Sequence, residues 1–277
     1  MTTTSKPRRR WFRYSLRTLL VLMLLPCIGM GWIGVKLQQA RKAHAAVEAI
    51  EGLGGVVVSC SNDAHQQRPA WLRKLLADDF FAHPTSVLIS NNGAMAYLEG
   101  LTQLQRLYLR SIQITDAGLE HLQGLSQLEV LSLTDTRVGD AGLAHLTGLT
   151  QLQWLSLGGT QVTDAGLEHL RGLTRLEDLD VSGIQVTDAG LRHLKGLTAL
   201  KILSLDRTKV SDAGLAHLTG LPRLVHLSLG GTQVTDAGLE HLTGLAQLQE
   251  LYLLDTQVTD SGVRRLQQAL PNCHVYP

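Results

Sequence analysis

The stretch that decides the fold is residues 149–172, which read LTQLQWLSLGGTQVTDAGLEHLRG. Leu155 and Leu157 alternate in the way that the inward-facing residues of a short strand do. Thr163 and Asp164 predict a helix N-cap followed by an acidic first turn, and the leucines after them have helical spacing. This stretch therefore predicts one strand, one turn and one short helix.

The same pattern recurs every 24 residues along most of the chain. Seven units follow one another without a slip of frame, so the pattern predicts an array of stacked units over residues 101–268. A single unit cannot bury its apolar edge, whereas stacked neighbours bury it together. The units begin at Leu101, Leu125, Leu149, Leu173, Leu197, Leu221 and Leu245.

The consensus of the unit is close to LxxLxxLxLxxTxVTDAGLxHLxG. It resembles the leucine-rich-repeat superfamily, in particular the class with T-D-A-G-L at the turn, which is similar to ribonuclease-inhibitor-like and F-box-type repeats. The resemblance covers residues 101–268 fully and about 80–100 loosely. It implies an α/β leucine-rich-repeat solenoid with a parallel sheet on the concave face and short helices on the convex face. Ile112 and Ile184 interrupt the Thr column at the family's turn position, so no continuous ladder of these side chains is expected.

Shorter segments are expected to close both ends of the array. Residues 55–100 predict an N-terminal cap, with a strand at Val56–Cys60 and a degenerate first repeat whose strand is Val87–Ile89. Residues 269–277 predict a closing strand in which Cys273 and Val275 point inward. Terminal units of a solenoid are commonly irregular because they cover the open end of the core.

The N-terminal segment predicts a membrane anchor. Residues 1–18 form a basic head, and the uncharged apolar run Leu19–Val35 is about long enough to span a bilayer as one helix. Six cations precede the run, which favours an N-terminus in the cytoplasm and repeats in the periplasm or extracytoplasmic space. Alanine-rich residues 36–54 have helical spacing and predict a juxtamembrane stalk. A cleaved signal peptide ending near Ala43–Ala45 remains an alternative.

This layout of basic head, single span, stalk and T-D-A-G-L repeats resembles membrane-anchored leucine-rich-repeat proteins of planctomycete-type bacteria. The charge distribution fits a membrane-facing terminus, because residues 1–50 hold nine Lys and Arg against one acidic residue, Glu48. Residues 101–268 hold thirteen basic and eighteen acidic residues, which argues against a nucleic-acid partner. The G-x-G-x-x-G match at Gly29–Gly34 lies inside the apolar run, where it has no nucleotide-binding context.

Two charged columns of the repeat have structural interpretations. One histidine per unit occupies a flanking helix position, and a file spaced one repeat apart does not converge on a metal ion. Protonation of these histidines near pH 6 is expected to weaken the array. The aspartate of T-D-A-G-L is interpreted as a turn and cap residue rather than a catalytic carboxylate. We find no catalytic signature in the array, so neither an enzyme nor a cofactor is predicted.

Positions that change between repeats predict the recognition surface, because fixed positions are core. Two exposed strand columns vary, and Trp154 stands out as a candidate hot spot, with packing against a neighbour as the equal alternative. Asp178 and Asp180 add an acidic patch. Seven strands give a face roughly 30 Å long, smaller than a standard interface, so weak or multivalent binding is expected. The candidate protein-binding residues are Arg106, Tyr108, Val130, Trp154, Asp178, Asp180, Ile202, His226 and Tyr252.

The sequence thus predicts a membrane-anchored, non-enzymatic protein-interaction module. The alternatives are an F-box-like substrate receptor inside the cell, an enzyme using residues 56–100, or a structural envelope protein without a discrete ligand. Cys60 and Cys273 belong to opposite ends of the array and cannot pair within one chain. Burial is the first interpretation of these two cysteines. Pairing between chains through them, or self-association through the stalk, is the second expectation.

Overall fold

The computed structural model describes residues 34–35, 38–61 and 83–277. Within those ranges no helix is long and apolar enough to cross a membrane. The predicted span Leu19–Val35 lies outside the described residues apart from its last two positions.

The described part of the chain contains a ten-stranded sheet whose strands are in sequence order from one edge to the other. Every neighbouring pair from β2 to β10 is parallel and in register, as the repeat predicted. The strands are β1 (Val56–Ser61), β2 (His83–Ile89), β3 (Arg106–Leu109), β4 (Val130–Ser132), β5 (Trp154–Ser156), β6 (Asp178–Asp180), β7 (Ile202–Ser204), β8 (His226–Ser228), β9 (Glu250–Tyr252) and β10 (His274–Tyr276).

The first strand departs from the parallel arrangement. β1 pairs antiparallel with β2, with register irregularities around Ser59. The closing strand β10 forms as predicted, with Cys273 buried before it and Val275 half-buried within it. The sheet is therefore longer than the seven repeats alone require.

Each of the first six repeats returns from its strand through one short α-helical turn that continues as a 3-10 turn. The α-helical turns are only four residues long in the first six repeats, and the last repeat has a longer helix of ten residues. They are α2 (Asp116–Leu119), α3 (Asp140–Leu143), α4 (Asp164–Leu167), α5 (Asp188–Leu191), α6 (Asp212–Leu215), α7 (Asp236–Leu239) and α8 (Asp260–Ala269).

The core lies between the sheet and these helices and is almost entirely aliphatic. In the third repeat the leucines at 149, 152, 155, 157, 167 and 170 are no more than 2% exposed. The equivalent leucines of the other repeats join them in one continuous cluster. Every repeat buries apolar surface, and each Å² of buried apolar surface stabilises the fold by about 25 cal/mol. This burial is the main source of stability. The 24-residue period therefore determines which side chains form the core.

The segment predicted as a stalk does not stand free. Residues 38–52 form a helix, α1, in which Ala40, Ala43, Ala46 and Ile50 are buried. A side chain added at Gly100 would lie 3.3 Å from the Lys42 carbonyl oxygen, so helix and array are in close contact. The helical part of the prediction holds, but its interpretation as a stalk is wrong: α1 caps the N-terminal end of the core.

Candidate functional site

The variable columns of the repeat lie side by side on the outward face of the sheet. Strand pairing aligns position 106 with positions 130, 154, 178, 202, 226 and 250, which form the first row. Position 108 aligns in the same way with positions 132, 156, 180, 204, 228 and 252, which form the second row. These two rows are called the sheet face below.

All nine predicted site residues lie on the sheet face, although they differ in exposure. Arg106 and Tyr252 are exposed, and the other seven are half-buried. The intervening Leu107, Leu131, Leu155 and their equivalents point inward and are fully buried. The strand geometry therefore presents the variable side chains on an invariant leucine core.

The centre of the sheet face is formed by Trp154 on β5 and two carboxylates on β6. The Trp154 side chain is hydrogen-bonded to Asp178. Asp180 accepts hydrogen bonds from Ser156 Oγ at 2.9 Å and from the Ser182 amide at 3.0 Å. Trp154 thus packs against a neighbouring side chain, which was one of the two interpretations of this residue. It also remains partly exposed to solvent, as the other interpretation, a binding hot spot, requires.

The electrostatics of this centre favour a cation. Burial raises the pKa of the Asp178 carboxyl, and the nearby Asp180 carboxylate raises it further, while the hydrogen bond from Trp154 acts in the opposite direction. Among the described residues neither aspartate belongs to an ion pair at 4.0 Å or less. A positive group placed here would relieve the repulsion between the two carboxylates.

A second cluster lies at the C-terminal end of the sheet face. Glu250 Oε2 accepts a hydrogen bond from the Tyr252 hydroxyl at 2.7 Å and lies 3.0 Å from His226 Nδ1. These two contacts, the tyrosine first, lower the pKa of Glu250. The Tyr252 and Tyr276 rings stack with centroids 4.7 Å apart. Glu250 lies in the first row, which the sequence predicted to face outward, but it was not among the predicted site residues. Tyr276 could not be predicted, because it follows the last repeat and has no column to identify it.

The repeated aspartates have a role that the sequence interpretation did not identify. Asp164 accepts hydrogen bonds from the Thr187 amide at 2.8 Å and from Thr187 Oγ1 at 2.6 Å, so it joins one repeat to the next. The same pair of bonds recurs from Asp140, Asp188, Asp212 and Asp236. These carboxylates cap the following repeat rather than only their own helix.

The threonine column does not bridge repeats. Thr160 Oγ1 donates to the Leu157 carbonyl oxygen of its own turn at 2.6 Å. Thr136, Thr208, Thr232 and Thr256 make the equivalent bond. The threonines form no ladder of side-chain hydrogen bonds between repeats, so the repeats that have isoleucine at this position interrupt none.

The histidine column lies on the helix flank, as predicted. His193 is the buried member; its Nε2 lies 3.3 Å from Arg192 Nε, and its Nδ1 has no hydrogen-bond partner among the described residues. Burial lowers the pKa of His193, and the charges of Arg171 and Arg192 lower it further. Within the described ranges no three His, Cys, Asp or Glu side chains are grouped so that they could hold a metal ion.

The cysteine expectation needs correction at one end of the array. The Cys273 thiol is buried, and this burial raises its pKa, so it is not placed for a disulfide with another chain. Self-association through Cys273 is therefore wrong for the folded array. The Cys60 side chain and the whole of Cys27 lie outside the described part.

The comparisons with known proteins agree with this geometry. Residues 102–162 match the family model described as Leucine rich repeat. No curated protein matches the chain. Internalin C2 of Listeria monocytogenes is a similar solved structure, with 28% identity, a TM-score of 0.55, and coverage of 72% of this chain and 83% of that chain.

Two further solved structures are similar at lower scores. A second internalin of Listeria monocytogenes is 23% identical over 68% of this chain and 64% of its own, with a TM-score of 0.43. A leucine-rich-repeat protein of Leptospira interrogans is 19% identical over 65% of this chain and 56% of its own, with a TM-score of 0.46. The family match, the 24-residue period and the in-register parallel sheet together show that the array has the leucine-rich-repeat solenoid fold.

Proposed function

We propose that the chain is a non-enzymatic protein-binding module that recognises its partner through the sheet face. The observation that carries the proposal is the contrast between the two sides of each strand. The inward positions are leucine in every repeat except at Val181, whereas the outward positions change from Arg106 to Trp154 to Glu250. A partly exposed tryptophan is not needed for solubility, but it is typical of the residues that contribute most to protein binding. Its place among variable outward residues therefore favours a binding surface.

The chemistry of the sheet face favours a partner segment with a basic group. Asp178 and Asp180 lie in adjacent rows of the same strand, next to the Trp154 ring. An arginine side chain can pair with carboxylates and stack on an aromatic ring at the same time. We therefore propose that a basic side chain of the partner contacts this centre.

The size of the sheet face limits its affinity. Six steps between the seven strands that carry its two rows, at about 4.8 Å each, give a length of about 29 Å. Most strands are only three residues long, so the face is still smaller than the ~800 Å² per partner of a standard interface. We infer that binding is weak or uses several copies, as on a membrane surface.

We also propose that Leu19–Val35 anchors the chain in the cytoplasmic membrane, with the N-terminus inside and the repeats outside. The support is the sequence: six cations precede the uncharged run and aromatic residues flank it. The finer resemblance, to the T-D-A-G-L class and to membrane-anchored proteins of planctomycete-type bacteria, belongs to this proposal and rests on the same residues.

The binding proposal is tested by a double variant, Trp154→Ala with Asp180→Lys. Proteins recovered from membrane extracts with the native full-length chain are compared with those recovered with the variant by quantitative mass spectrometry. We expect at least tenfold loss of the specific partner, because removing a hot-spot ring and reversing a charge each cost more than about 1 kcal/mol.

The matched control changes the helix side in the same way. Arg192 and Glu120 are exposed there, so Arg192→Ala with Glu120→Lys alters size and charge without touching the sheet face. Both variants are first shown to have the circular dichroism of the native chain. Equal recovery with the native chain and with the sheet-face variant would contradict the proposal.

A further inference from the structure

The sheet face contains two places at which an aromatic side chain is hydrogen-bonded to a carboxylate. At the first, Trp154 is hydrogen-bonded to Asp178. At the second, the Tyr252 hydroxyl donates to Glu250 Oε2 at 2.7 Å. Both aromatic side chains remain partly exposed, Tyr252 to 38%. Trp154 with Asp178 is called the first ring–acid pair below, and Tyr252 with Glu250 is called the second ring–acid pair.

The strand register sets the distance between the two ring–acid pairs. The alignment runs from Asp178 through β7 and β8 to Glu250, so the two carboxylates lie in the same row. Three steps between neighbouring strands, at about 4.8 Å each, separate them by about 14 Å. In the second row the positions between the pairs are occupied by Ser204 and Ser228, which are too small to keep one ligand from reaching both pairs.

The Tyr252 ring is held in place and has one face available for stacking. Its neighbour on β10 is Tyr276, and the two rings stack with centroids 4.7 Å apart and planes 9° from parallel. Its neighbour on β8 is Ser228, whose hydroxyl is turned towards Asp206 Oδ1 and donates to it at 2.6 Å. A flat group can therefore lie above this serine against the ring of Tyr252.

Glu250 is ionised and has one oxygen available for a cation. The hydrogen bond from Tyr252 and the contact with His226 lower its pKa, so Glu250 carries its charge at neutral pH. Both contacts are made to Oε2, and within the described part of the chain Oε1 accepts no hydrogen bond. A cation stacked on Tyr252 would thus be within reach of an unused carboxylate oxygen.

The surroundings of the two pairs are negatively charged, whereas the start of the sheet face is balanced. Strands β6 to β10, each taken with the residue before it and up to three residues after it, contain six acidic and two basic residues. Of the two basic residues, Lys201 is paired with Glu177 at 2.6 Å, and the other is Arg207. The same parts of β3 to β5 contain two acidic and two basic residues. The six acidic residues are Glu177, Asp178, Asp180, Asp206, Glu250 and Asp255.

We propose that the sheet face binds an extended segment of its partner that carries two arginines, one for each ring–acid pair. This inference rests on the proposed role of the sheet face and names the pattern that this face recognises. A guanidinium group is flat and cationic, so it can stack on an aromatic ring and pair with a carboxylate at the same time.

The distance between the pairs sets the spacing of the two arginines. At about 3.4 Å per residue, 14 Å corresponds to four residues of an extended chain. Side chains four residues apart in such a chain point to the same side, whereas side chains three or five residues apart point to opposite sides. The recognised pattern is therefore Arg-x-x-x-Arg. Two contacts made by one segment strengthen each other, because the second forms within a complex that the first has already assembled.

The test measures the binding of labelled peptides to the full-length chain in a neutral detergent by microscale thermophoresis. Three peptides of identical composition carry two arginines three, four or five residues apart among serines and threonines, and a fourth carries a single arginine. We expect the peptide with the four-residue spacing to bind about fivefold more tightly than each of the others, because only there do both arginines face the sheet.

Variants connect this preference to the second ring–acid pair. With Glu250→Gln and Tyr252→Ala together, the peptide with the four-residue spacing should bind no more tightly than the single-arginine peptide. The control Glu240→Gln removes one exposed charge from the helix side and should leave the spacing preference intact.

Two results would overturn the inference: equal affinities for the three two-arginine peptides, or no binding of any of them. Neither result would affect the broader proposal that the sheet face binds a protein. That proposal is tested separately by recovery of the native partner with the Trp154→Ala and Asp180→Lys variant.

Discussion

At the scale of single residues, the aspartate that begins the short helix joins one repeat to the next in five repeats, from Asp140 to Asp236. Its Oδ1 accepts the amide of the next threonine or serine and its Oδ2 accepts the hydroxyl, as for Asp188 with Ser211 at 2.7 and 2.6 Å. The first member of the column is Asn92, whose amide donates to Thr115 Oγ1 at 3.1 Å. Hydrogen bonds to a charged acceptor contribute about 1.5–3 kcal/mol each. The column therefore adds a charged side-chain link between units to the backbone hydrogen bonds that already join them.

Replacing one member of this column should destabilise the array. Asp164→Ala leaves the Thr187 amide and hydroxyl without their acceptor, and we expect a loss of about 2–3 kcal/mol in the free energy of unfolding. Asp164→Asn keeps one acceptor and should lose less than half as much. Glu168→Ala, an exposed change in the same repeat, is the control and should alter stability by less than about 0.5 kcal/mol. Equal unfolding midpoints in urea for Asp164→Ala and Glu168→Ala would contradict this role.

Acid sensitivity of the array should arise at His193 rather than along the whole histidine column. Burial, with Arg171 and Arg192 nearby, holds the folded-state pKa of His193 below its ordinary value of 6.5, and Glu168 and Asp164 oppose this only in part. The unfolded chain therefore binds the proton more readily. The stability that neutral His193 contributes is complete above about pH 6.5 and is lost as the pH falls below that value.

His193→Gln is expected to reduce this acid sensitivity. Melting temperatures are measured at pH 7.5 and 5.0 for the native chain, for His193→Gln and for His217→Gln, a half-buried member of the same column. The native chain and His217→Gln should lose more melting temperature than His193→Gln, at about 2–4 °C per kcal/mol for a chain of this size. An identical loss in all three proteins would show that His193 is not responsible.

At the scale of elements, α1 is held to the array by small side chains. Ala43 and Ala46 are 6% and 5% exposed, and Ile50 is fully buried against the first strands. Alanines allow the helix backbone to approach Gly100 closely, where any larger residue would separate them. The N-terminal end of the leucine core depends on this contact, because no further repeat covers it within the described residues.

A charge at the α1 interface should open this end of the array alone. Ala46→Glu places a carboxylate in a buried apolar contact, which costs about 2 kcal/mol or more, whereas Ala45→Glu on the exposed side of α1 should be harmless. We expect faster hydrogen exchange at residues 84–101 in Ala46→Glu only, with residues 245–253 unaffected. Unchanged exchange in Ala46→Glu would contradict the capping role.

The extent to which these elements could be predicted follows from their periodicity. The strands and helical turns of residues 101–268 follow from the 24-residue period, because every repeat imposes the same pattern of burial on the next. The docking of α1 could not be predicted in the same way, since an alanine stripe suits a stalk and a packed helix equally. The antiparallel β1 and the Tyr252–Tyr276 stack were also missed, because each involves a residue outside the repeats.

At the scale of the whole molecule, the candidate site was predictable as a surface but not as a set of contacts. Repeat alignment within one chain places Arg106, Trp154 and Asp180 on one face, and the strand register confirms that placement. The hydrogen bond between Trp154 and Asp178 and the Glu250 cluster depend on side-chain conformations that no pattern of residue types encodes.

The central claim is that the sheet face, and not the helix side, contacts the partner protein. Photo-crosslinking amino acids placed one at a time at Val130 and Ile202 test the sheet face, and placement at the exposed Ala141 and Ala213 of the same repeats tests the helix side. In native cells we expect both sheet-face positions to crosslink to one common protein, with loss of the product in a Trp154→Ala background. Crosslinks from Ala141 or Ala213 to that protein with equal yield, or no crosslink from either sheet-face position, would contradict the account.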